Sequence, residues 1–387
     1  MDMQKNIEPL VNDGFAGEHA KRVLGYIQSQ REKGKNVVGI YCGYAPLEVI
    51  HAANAVPAVL CAFADKTIAA AEAVLPANLC PLIKSSYGFI ITDTCPFYSL
   101  SEAVIAETTC DGKKKMFELI SHIKPMFVMD LPQLPDEQEA KVNWTVMIRK
   151  LQSFLETTFG RKISDDDVEA EIKDANRKFD MMNRIFDFTR HQPPVISWSE
   201  LYDLTFLAQP ANFSDIAPLL EETIRKLEKR VADGVFFGDV NSPRVLVTGC
   251  PVGGDANKVF RIIEELGGNI VVLDSCTGMK AFMEKTAEDT ADPYAALAER
   301  YLRIPCSCMT PNSRRLQELD KMIERFKPDA IIEVVLHACH SYNVESHKIR
   351  EHAKNQHGLP YLKVETDFSA GDIEQIRTRV EALFDSL

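Results

Sequence analysis

The stretch NVVGIYCGYAPLEVIHAANAVPAVLCAF, residues 36–63, decides the fold class. Residues 36–41 are a short apolar run typical of a buried strand, and residues 57–63 are a second such run. The segment between them, residues 46–55, begins with proline and has helical character. A strand, a helix and a second strand in this order predict a βαβ unit with two parallel strands.

Further apolar runs extend this pattern to both ends of the chain. They predict strands at residues 89–94, 126–132, 244–249, 269–274, 330–336 and 361–365. The predicted fold class is therefore α/β, with two Rossmann- or flavodoxin-like domains that have parallel sheets and are joined by a helical segment. The predicted boundaries are 1–137 for the N-terminal domain, 138–240 for the helical connector and 241–387 for the C-terminal domain.

Helical patterns account for the other long segments. Helices are predicted over residues 5–34, 142–159, 214–233 and 371–385. Ser164 and Asp167 form a predicted capping box for one more helix, which stops before Pro193-Pro194. Gly34 and Gly234 follow two of these helices, in the position where glycine commonly ends a helix.

Composition excludes several classes of function. The 387 residues carry a net charge of −12, and an acidic surface repels the phosphate backbone of nucleic acids and anionic membranes. The N-terminus has no apolar signal region, and no run of 18 apolar residues predicts a membrane span. We therefore expect a cytoplasmic protein that binds neither nucleic acid nor membrane.

Ten cysteines require an explanation, because thiols stay reduced in the cytoplasm and disulfides are rare there. They are Cys42, Cys61, Cys80, Cys95, Cys110, Cys250, Cys276, Cys306, Cys308 and Cys339. Free cysteine also packs well in apolar cores, and this simpler explanation suits Cys61 best, since it lies in the apolar run AVPAVLCAF.

Half of these cysteines directly follow predicted strands. They are Cys42, Cys95, Cys250, Cys276 and Cys339. Ligands of open parallel sheets bind at the carboxyl ends of the strands. Two sheets that face each other would therefore bring cysteines of both domains into one cleft.

Three cysteines, Cys80, Cys95 and Cys250, precede proline. Proline suits the first position of a helix, so each cysteine is predicted at a helix N-cap. The helix dipole and free N–H groups there lower the pKa of a thiol, and the thiolate is the form that binds metals. The alternative is a simple helix start.

The spacing of the cysteines bears on the kind of metal. Zinc sites usually contain close pairs such as C-x2-C, whereas the closest pair here is Cys306-x-Cys308. Scattered cysteines fit an iron–sulfur cluster held between domains better. A catalytic cysteine assisted by His337 or His340, which flank Cys339, stays open as an alternative.

Other residues near the cysteines offer further chemistry. Glu48, Lys84, Tyr87, Glu107 and His340 could each deliver protons or bind substrate. Lys113, Lys114 and Lys115 follow Cys110 and suit either a docking site for a partner or anionic substrate, or a solvated helix start. The glycine-rich stretch GCPVGG, residues 249–254, matches no nucleotide-binding motif and indicates a tight turn between strand and helix.

Four blocks of the sequence together resemble the 2-hydroxyacyl-CoA dehydratase family. They are CGYAPLEVIHAANAVP (42–57), NLCPLIKSSYG (78–88), ETTCDGKKKMFE (107–118) and HACHSYNVESHKIREHAKNQHGLPYLKVETDFS (337–369). The resemblance implies an iron–sulfur cluster held by cysteines and electrons from a separate ATP-hydrolysing partner that carries a [4Fe–4S] cluster. Additional cysteines in TGCPVGG, DSCTGMK and PCSCMT resemble the branch called double-cubane cluster proteins, which are homodimers that reduce small molecules at an [8Fe–9S] cluster.

The resemblance implies ligands for two cubanes. Cys80, Cys110 and Cys339 lie in the blocks shared with the dehydratases and would hold one cubane. We expect Cys42, Cys276 and Cys308 to hold the second, with Cys250, Cys306 and Cys95 as substitutes. Glu48, Lys84, Glu107 and His340 are the expected catalytic residues.

Two other functions remain open on the sequence alone. The first is a 2-hydroxyacyl-CoA dehydratase subunit with one [4Fe–4S] cluster, which would need a different partner subunit and a pocket for coenzyme A. The second is a cluster carrier or a scaffold that binds the ATPase without catalysis.

Overall fold

The fold is taken from a computed structural model, which describes residues 18–387. The part of the predicted helix over residues 5–34 that precedes Glu18 lies outside the described residues. The rest is confirmed as helix α1 (Glu18–Glu32), and Gly34 follows it with a φ of 86°.

Two four-stranded sheets, both entirely parallel, form the framework. The strands are β1 (Asn36–Ile40), β2 (Ala55–Val59), β3 (Ala103–Glu107), β4 (Met126–Met129), β5 (Arg244–Gly249), β6 (Asn269–Asp274), β7 (Ala330–Leu336) and β8 (Tyr361–Thr366). Their order is β2-β1-β3-β4 in the first sheet and β6-β5-β7-β8 in the second. Both sheets thus have the flavodoxin-like order in which the first strand is central, and the predicted fold class is confirmed.

Helices separate the strands and cover the sheets. Those in the first half are α2 (Leu47–Ala52), α3 (Ile68–Ala71), α4 (Pro81–Ile91), α5 (Pro96–Leu100) and α6 (Asp111–Ser121). Those that follow β4 and precede β5 are α7 (Gln138–Phe159), α8 (Asp165–Phe186), α9 (Trp198–Ala208) and α10 (Phe213–Asp233). Those in the second half are α11 (Lys258–Glu265), α12 (Pro293–Leu302), α13 (Ser313–Phe326), α14 (His340–His357) and α15 (Ile373–Phe384).

The first half contains one wrong strand prediction. Residues 89–91 are the end of helix α4, and the strand beside β1 is β3, formed by the sequence AVIAE. Helix α4 is buried along nearly its whole length, so it has no polar face that would distinguish it from a buried strand. Cys95 consequently caps helix α5 and does not follow a strand.

The predicted helical features of residues 138–233 are confirmed. Ser164 and Asp167 form the capping box of α8, and α10 ends at Gly234, which has a φ of 69°. Helix α8 contacts α2 of the first half and also α12 of the second, and α9 contacts α1 and β6. The helices therefore pack against both halves, and the predicted domain boundaries stay a prediction.

The glycine-rich loop after β5 joins the two halves. Gly254 has a φ of 49°, and a Cβ atom at this position would lie 2.2 Å from the carbonyl oxygen of Phe63. The same oxygen accepts a hydrogen bond from the amide of Asp255 at 2.8 Å, and the carboxylate of Asp255 accepts one from the amide of Asp65 at 2.9 Å. Glycine is required here because the backbones of the two halves approach closely.

Within residues 18–387, no helix combines the length and the apolar character that crossing a bilayer demands.

Candidate functional site

The strand order places cysteines at the carboxyl ends of the central strands. In each sheet the second strand is added on one side of the first, and the later strands are added on the other side. The strand order therefore switches between the two central strands, which are β1 and β3 in the first sheet and β5 and β7 in the second. Cys42 and Cys110 lie just beyond the ends of β1 and β3, and Cys250 and Cys339 lie just beyond the ends of β5 and β7. These are the positions at which open parallel sheets bind their ligands.

Four cysteines are N-caps of helices. Cys80, Cys95, Cys110 and Cys339 begin α4, α5, α6 and α14. The N-cap position predicted from Cys-Pro pairs is confirmed for Cys80 and Cys95. The lowered pKa expected there is wrong, because burial raises the pKa of both thiols. The predicted N-cap position is wrong for Cys250, because the residues after Pro251 form a loop and then a short 3-10 helix at Gly254–Asn257.

Cys80, Cys110, Cys250 and Cys339 form a first group of neighbouring thiols. Burial raises the pKa of Cys80 to about 12, with a further contribution from Cys339 and a smaller one from Cys110. Cys250 is buried and hydrogen-bonds with Cys339, which lowers the pKa of Cys339. The amide of Leu336 also donates to the Cys250 sulfur at 3.1 Å. The group combines residues of both halves of the chain.

Cys42, Cys276, Cys306 and Cys308 form a second group. A hydrogen bond between the two members of the CSC pair lowers the pKa of Cys306 to about 5 and raises the pKa of Cys308. Burial raises the pKa of Cys276 to about 11, against the opposing charge of Lys280 and with a contribution from Cys306. The charge of Cys42 acts on Cys308.

The two groups adjoin each other. Burial is the main cause that raises the pKa of Cys110, and the charge and backbone N–H group of Lys113 oppose it. The charge of Cys306 makes a smaller contribution that also raises this pKa. It acts in the same direction on Cys339. Cys61 adjoins the second group, because its charge acts on Cys42 and Cys276. Cys95 is separate, since burial, the amides of Tyr98 and Phe97, and Lys124 account for the shift of its pKa.

Lys113 is a buried cation beside the second group. Its ammonium donates to the Cys42 sulfur at 2.9 Å, and the hydroxyl of Thr109 lies 3.3 Å from the same sulfur. Burial alone would lower the pKa of Lys113, but Cys42, Cys61 and Cys110 together raise it well above its usual value. Lys113 therefore differs from the exposed Lys114 and Lys115, and both sequence interpretations of this lysine run missed its contact with Cys42.

Glu107 holds the segment that carries Cys42. This fully buried carboxylate ends β3 and accepts hydrogen bonds from the amides of Cys42, Tyr44 and Ala45 at 3.2, 3.0 and 2.5 Å. The carboxylate thus fixes the turn after β1, and with it the direction in which Cys42 leaves the sheet.

A cavity of ≈ 140 Å³ adjoins these cysteines. Cys42, Cys61 and Cys276 line it, together with Glu48 and Tyr301. The Tyr301 hydroxyl donates to the Glu48 carboxylate at 2.7 Å, and both side chains are buried. The cavity therefore contains thiols and a buried proton-carrying pair in one space.

The remaining sequence candidates lie elsewhere. Lys84 donates to Glu72 and to the carbonyl of Ala77 at 2.7 and 2.8 Å, and this ion pair ties α4 to the segment before it. His340 is the exposed first residue of α14, directly after Cys339. Tyr87 is buried within α4.

Comparison with known proteins identifies the family. The sequence profile described as "2-hydroxyglutaryl-CoA dehydratase, D-component" matches residues 42–387. This chain belongs to that family. All ten cysteines lie within the matched residues, and the match begins at Cys42.

Relatives in the family carry several names. YjiM of Escherichia coli strain K12, which has the provisional name of a dehydratase subunit, is 41% identical over 98% of each chain. The beta subunit of (R)-phenyllactyl-CoA dehydratase from Clostridium sporogenes is 22% identical, over 94% of this chain and 95% of its own. A subunit of benzoyl-CoA reductase from Thauera aromatica is 20% identical over 92% of each chain. The family thus includes proteins named as subunits of dehydratases and of a reductase.

Sequence reasoning missed several residues of the cavity. Glu171, Lys178 and Lys280 line it, and the sequence patterns above point to none of them. The sequence did contain a signal for Glu171 and Lys178. Residues seven apart share one face of a helix, and their buried neighbours Ile172 and Phe179 show that this face of α8 lies next to the protein interior.

A separate group of possible metal ligands lies on the outer helices of the second half. Asp320 of α13 and His352 and His357 of α14 have ligand atoms within 4.8 Å of one another. The two imidazoles lie 2.5 and 2.6 Å from the same carboxylate oxygen. These nitrogen and oxygen atoms suit a divalent cation and not an iron–sulfur cluster, which binds to thiolates.

Proposed function

We propose that this chain is an iron–sulfur reductase of the 2-hydroxyglutaryl-CoA dehydratase D-component family. It would bind a double-cubane [8Fe–9S] cluster and reduce small molecules, using low-potential electrons from a separate ATP-hydrolysing reductase that carries a [4Fe–4S] cluster. The observation that supports this proposal most strongly is the mutual influence of eight thiols from both halves of the chain, five of which lie just beyond the carboxyl ends of parallel strands.

The donor set fits an iron–sulfur cluster. A single cubane uses about four thiolate ligands, whereas the two groups defined above together contain eight thiols. Buried thiols resist ionisation in an apolar environment, so a bound cation or a cluster is the ordinary means of stabilising several thiolates together. Lys113 and Lys280 add positive charge beside them.

The ligand assignment follows the two groups. Cys80, Cys110 and Cys339 would hold one cubane, and Cys42, Cys276 and Cys308 would hold the second. Cys250 and Cys306 are hydrogen-bond partners of Cys339 and Cys308, which suits either a substitute ligand or a donor that stabilises a ligand's sulfur.

When bound, the cluster would supply low-potential electrons to a substrate in the adjoining cavity. The protein would supply the position, the protons and the exclusion of water. Glu107 and Lys113 hold Cys42 at the cavity, and apolar residues form most of the cavity wall. Among the predicted catalytic residues, Glu48 is the one whose carboxylate lines the cavity as a possible proton donor.

The size of the cavity supports a small substrate. At ≈ 140 Å³ it is smaller than the ~300–1,000 Å³ typical of pockets for drug-sized ligands. The acyl chain of a coenzyme A ester, the substrate of a dehydratase subunit, would be a larger ligand.

The second candidate function is a dehydratase subunit with one [4Fe–4S] cluster, and the names of two of the relatives favour it. Such a subunit needs a second, different chain, whereas the proposed reductase is a cytoplasmic homodimer. Native mass spectrometry of the protein, purified from its own cells without air, distinguishes the two. A homodimer with the mass of a double cubane in each chain supports the proposal, and a complex with a different subunit and a single cubane contradicts it.

A further inference from the structure

The cavity beside Cys42 and Cys276 is lined by ionisable side chains that the proposed cluster does not use. They come from helices α2, α8 and α12 and are Glu48, His51, Glu171, Asp174, Lys178, Arg300 and Tyr301. Four of them, Glu48, Lys178, Arg300 and Tyr301, are at most 6% exposed. Burial of so many ionisable groups is unfavourable, so their common position requires a reason.

Lys178 is the central member of this set. Within residues 18–387 its ammonium donates one hydrogen bond, to the carbonyl of Ala211 at 2.7 Å, and none to a carboxylate. An ammonium has three donors, so two N–H groups remain for water or a ligand in the cavity. Burial lowers the pKa of Lys178 to about 8, although Glu48 and Glu171 act in the opposite direction. A lysine with this pKa gains and releases a proton near neutral pH.

Glu171 is a second ionisable residue on the face of α8 that carries Lys178. It is half-buried, and both residues line the cavity. Burial raises the pKa of Glu171 to about 7, with smaller contributions from Asp174 and Glu48. Glu171 can therefore take up a proton from solvent under the conditions in which Lys178 can release one.

Glu48 and Tyr301 form a buried hydrogen-bonded pair in the same cavity. One carboxylate oxygen of Glu48 accepts a hydrogen bond from the hydroxyl of Tyr301. The hydroxyl oxygen of Tyr301 in turn accepts a hydrogen bond from the amide of Leu47 at 3.0 Å. The charge of Glu48 acts on Lys178 and on Glu171. The pair therefore adjoins both groups and lines the same cavity as Cys42 and Cys276.

We propose that Glu171, Lys178 and the Glu48–Tyr301 pair conduct protons from solvent to a substrate in the cavity beside Cys42 and Cys276. This inference rests on the proposed reductase function. Reduction of hydroxylamine illustrates the balance, since two electrons and two protons break the N–O bond and form one N–H and one O–H bond, giving ammonia and water. The electrons come from the ATP-hydrolysing reductase. The protons that the path delivers to the substrate are replaced by protons from solvent.

The pH dependence of this path is set by the charges that face it. Burial and then the charge of Lys178 lower the pKa of His51, which also lines the cavity, to about 3, so this imidazole stays neutral. Glu48, Glu171 and Asp174 favour the protonated form of Lys178, and Arg300 opposes it. Asp174 and Glu48 favour the protonated form of Glu171, and Lys178 and Lys35 oppose it. Turnover through the path should therefore fall as the pH rises from about 7, where Glu171 is half protonated, past about 8, where Lys178 has lost half of its protons.

The test compares variants that differ in whether they can release a proton. Lys178→Met removes the proton, and Lys178→Arg retains the charge but holds its proton at every accessible pH. Glu171→Gln removes the titrating carboxyl, and Glu171→Asp restores one. Lys173→Met and Glu169→Gln are the matched controls, because these residues lie on the same helix and do not line the cavity.

Two readouts are needed on the iron-loaded protein. The first is the midpoint reduction potential, followed by the iron–sulfur absorbance between pH 6 and pH 9. This potential falls as the pH rises where Lys178 takes up a proton together with the electron. We expect this slope in the wild type and the controls, and its loss in Lys178→Met and Lys178→Arg. The second is hydroxylamine reduction, for which we expect the two Lys178 variants to lose about 100-fold in kcat with little change in KM.

The outcomes separate the path from the proposed function. Equal slopes and equal kcat in the wild type and both Lys178 variants would overturn the proton path while leaving the reductase intact. Recovery by Lys178→Arg would also overturn it, because it would show that only the charge matters. A wild type without iron would contradict the proposed function itself.

Discussion

Replacing Glu107 by glutamine tests whether this carboxylate holds Cys42 in place. One carboxylate oxygen accepts from the amides of Tyr44 and Ala45, and the other accepts from the amide of Cys42. Glutamine keeps one oxygen and replaces the other by an NH2 group, which is a donor. In Glu107→Gln the new donor would face the amide of Cys42, so that both groups lose their partner.

The magnitude follows from these contacts. A hydrogen bond to a charged group contributes about 1.5–3 kcal/mol, and a buried donor without a partner costs about 1–3 kcal/mol. Since the two terms overlap for Cys42, we expect the free energy of unfolding to fall by about 2–4 kcal/mol. A loss of this size lowers the ratio of folded to unfolded molecules on the order of 100-fold.

Urea unfolding of the iron-free protein and iron content after purification without air measure the two effects. Glu102→Gln is the matched control, because this exposed carboxylate accepts one backbone hydrogen bond, from the amide of Val37 at 3.3 Å. Its effect should stay within about 0.5 kcal/mol. Equal stability and iron content in Glu107→Gln and that control would show that the Glu107 carboxylate does not hold Cys42 in place. A variant that folds and binds iron normally but loses turnover would make Glu107 a proton donor.

Three further predictions concern other parts of the structure. Cys95→Ser should retain the iron content of the wild type because its thiol lies apart from the others, whereas Cys339→Ser should lose iron; equal iron in both would contradict the grouping. Arg315→Met should lower the free energy of unfolding by about 3–5 kcal/mol, because it leaves the buried carboxylate of Glu333, which Arg315 contacts at 2.8 Å, without its charge partner. An effect under about 1 kcal/mol in urea unfolding would contradict this account of the pair. Lys178→Met should raise the free energy of unfolding at pH 7 by up to about 3 kcal/mol, since burial lowers the pKa of Lys178 from 10.5 to about 8. The folded wild type binds this proton less readily than the unfolded chain does. The difference in the free energy of unfolding between variant and wild type should therefore shrink as the pH rises from about 8 towards 10.5. A difference that stays constant with pH would contradict the lowered pKa of Lys178 as its cause.

The fold class could be predicted because buried parallel strands are continuous apolar runs. RVLVTG and AIIEVVL are fully buried strands in the structure, as their composition indicates. The same signal failed at residues 89–94, where a helix is buried on nearly all sides. The short strand β3, with two alanines in five residues, was missed because its run is less apolar than its neighbours.

The cysteine positions were predictable only where local sequence determines them. Cys80 and Cys95 precede proline and cap helices as expected. Cys110 and Cys339 also cap helices, but without a proline to signal it. Which thiols approach each other depends on how the two sheets pack, and no local pattern encodes that.

The buried ionisable residues were the hardest to predict. Lys113 belongs to a run of three lysines that is typical of a solvated surface. In the folded chain, however, its ammonium donates a hydrogen bond to the Cys42 sulfur. Lys178 and Tyr301 come from helices far apart in sequence and meet at the cavity only through tertiary packing.

The most direct test of the account is the amount of iron and acid-labile sulfide per chain in protein purified without air. If the thiolates of the two adjoining groups hold a double-cubane cluster, we expect about eight irons and about nine sulfides per chain. About four of each would favour the dehydratase alternative. Zinc, or no metal at all, would contradict the central claim that the converging cysteines bind an iron–sulfur cluster.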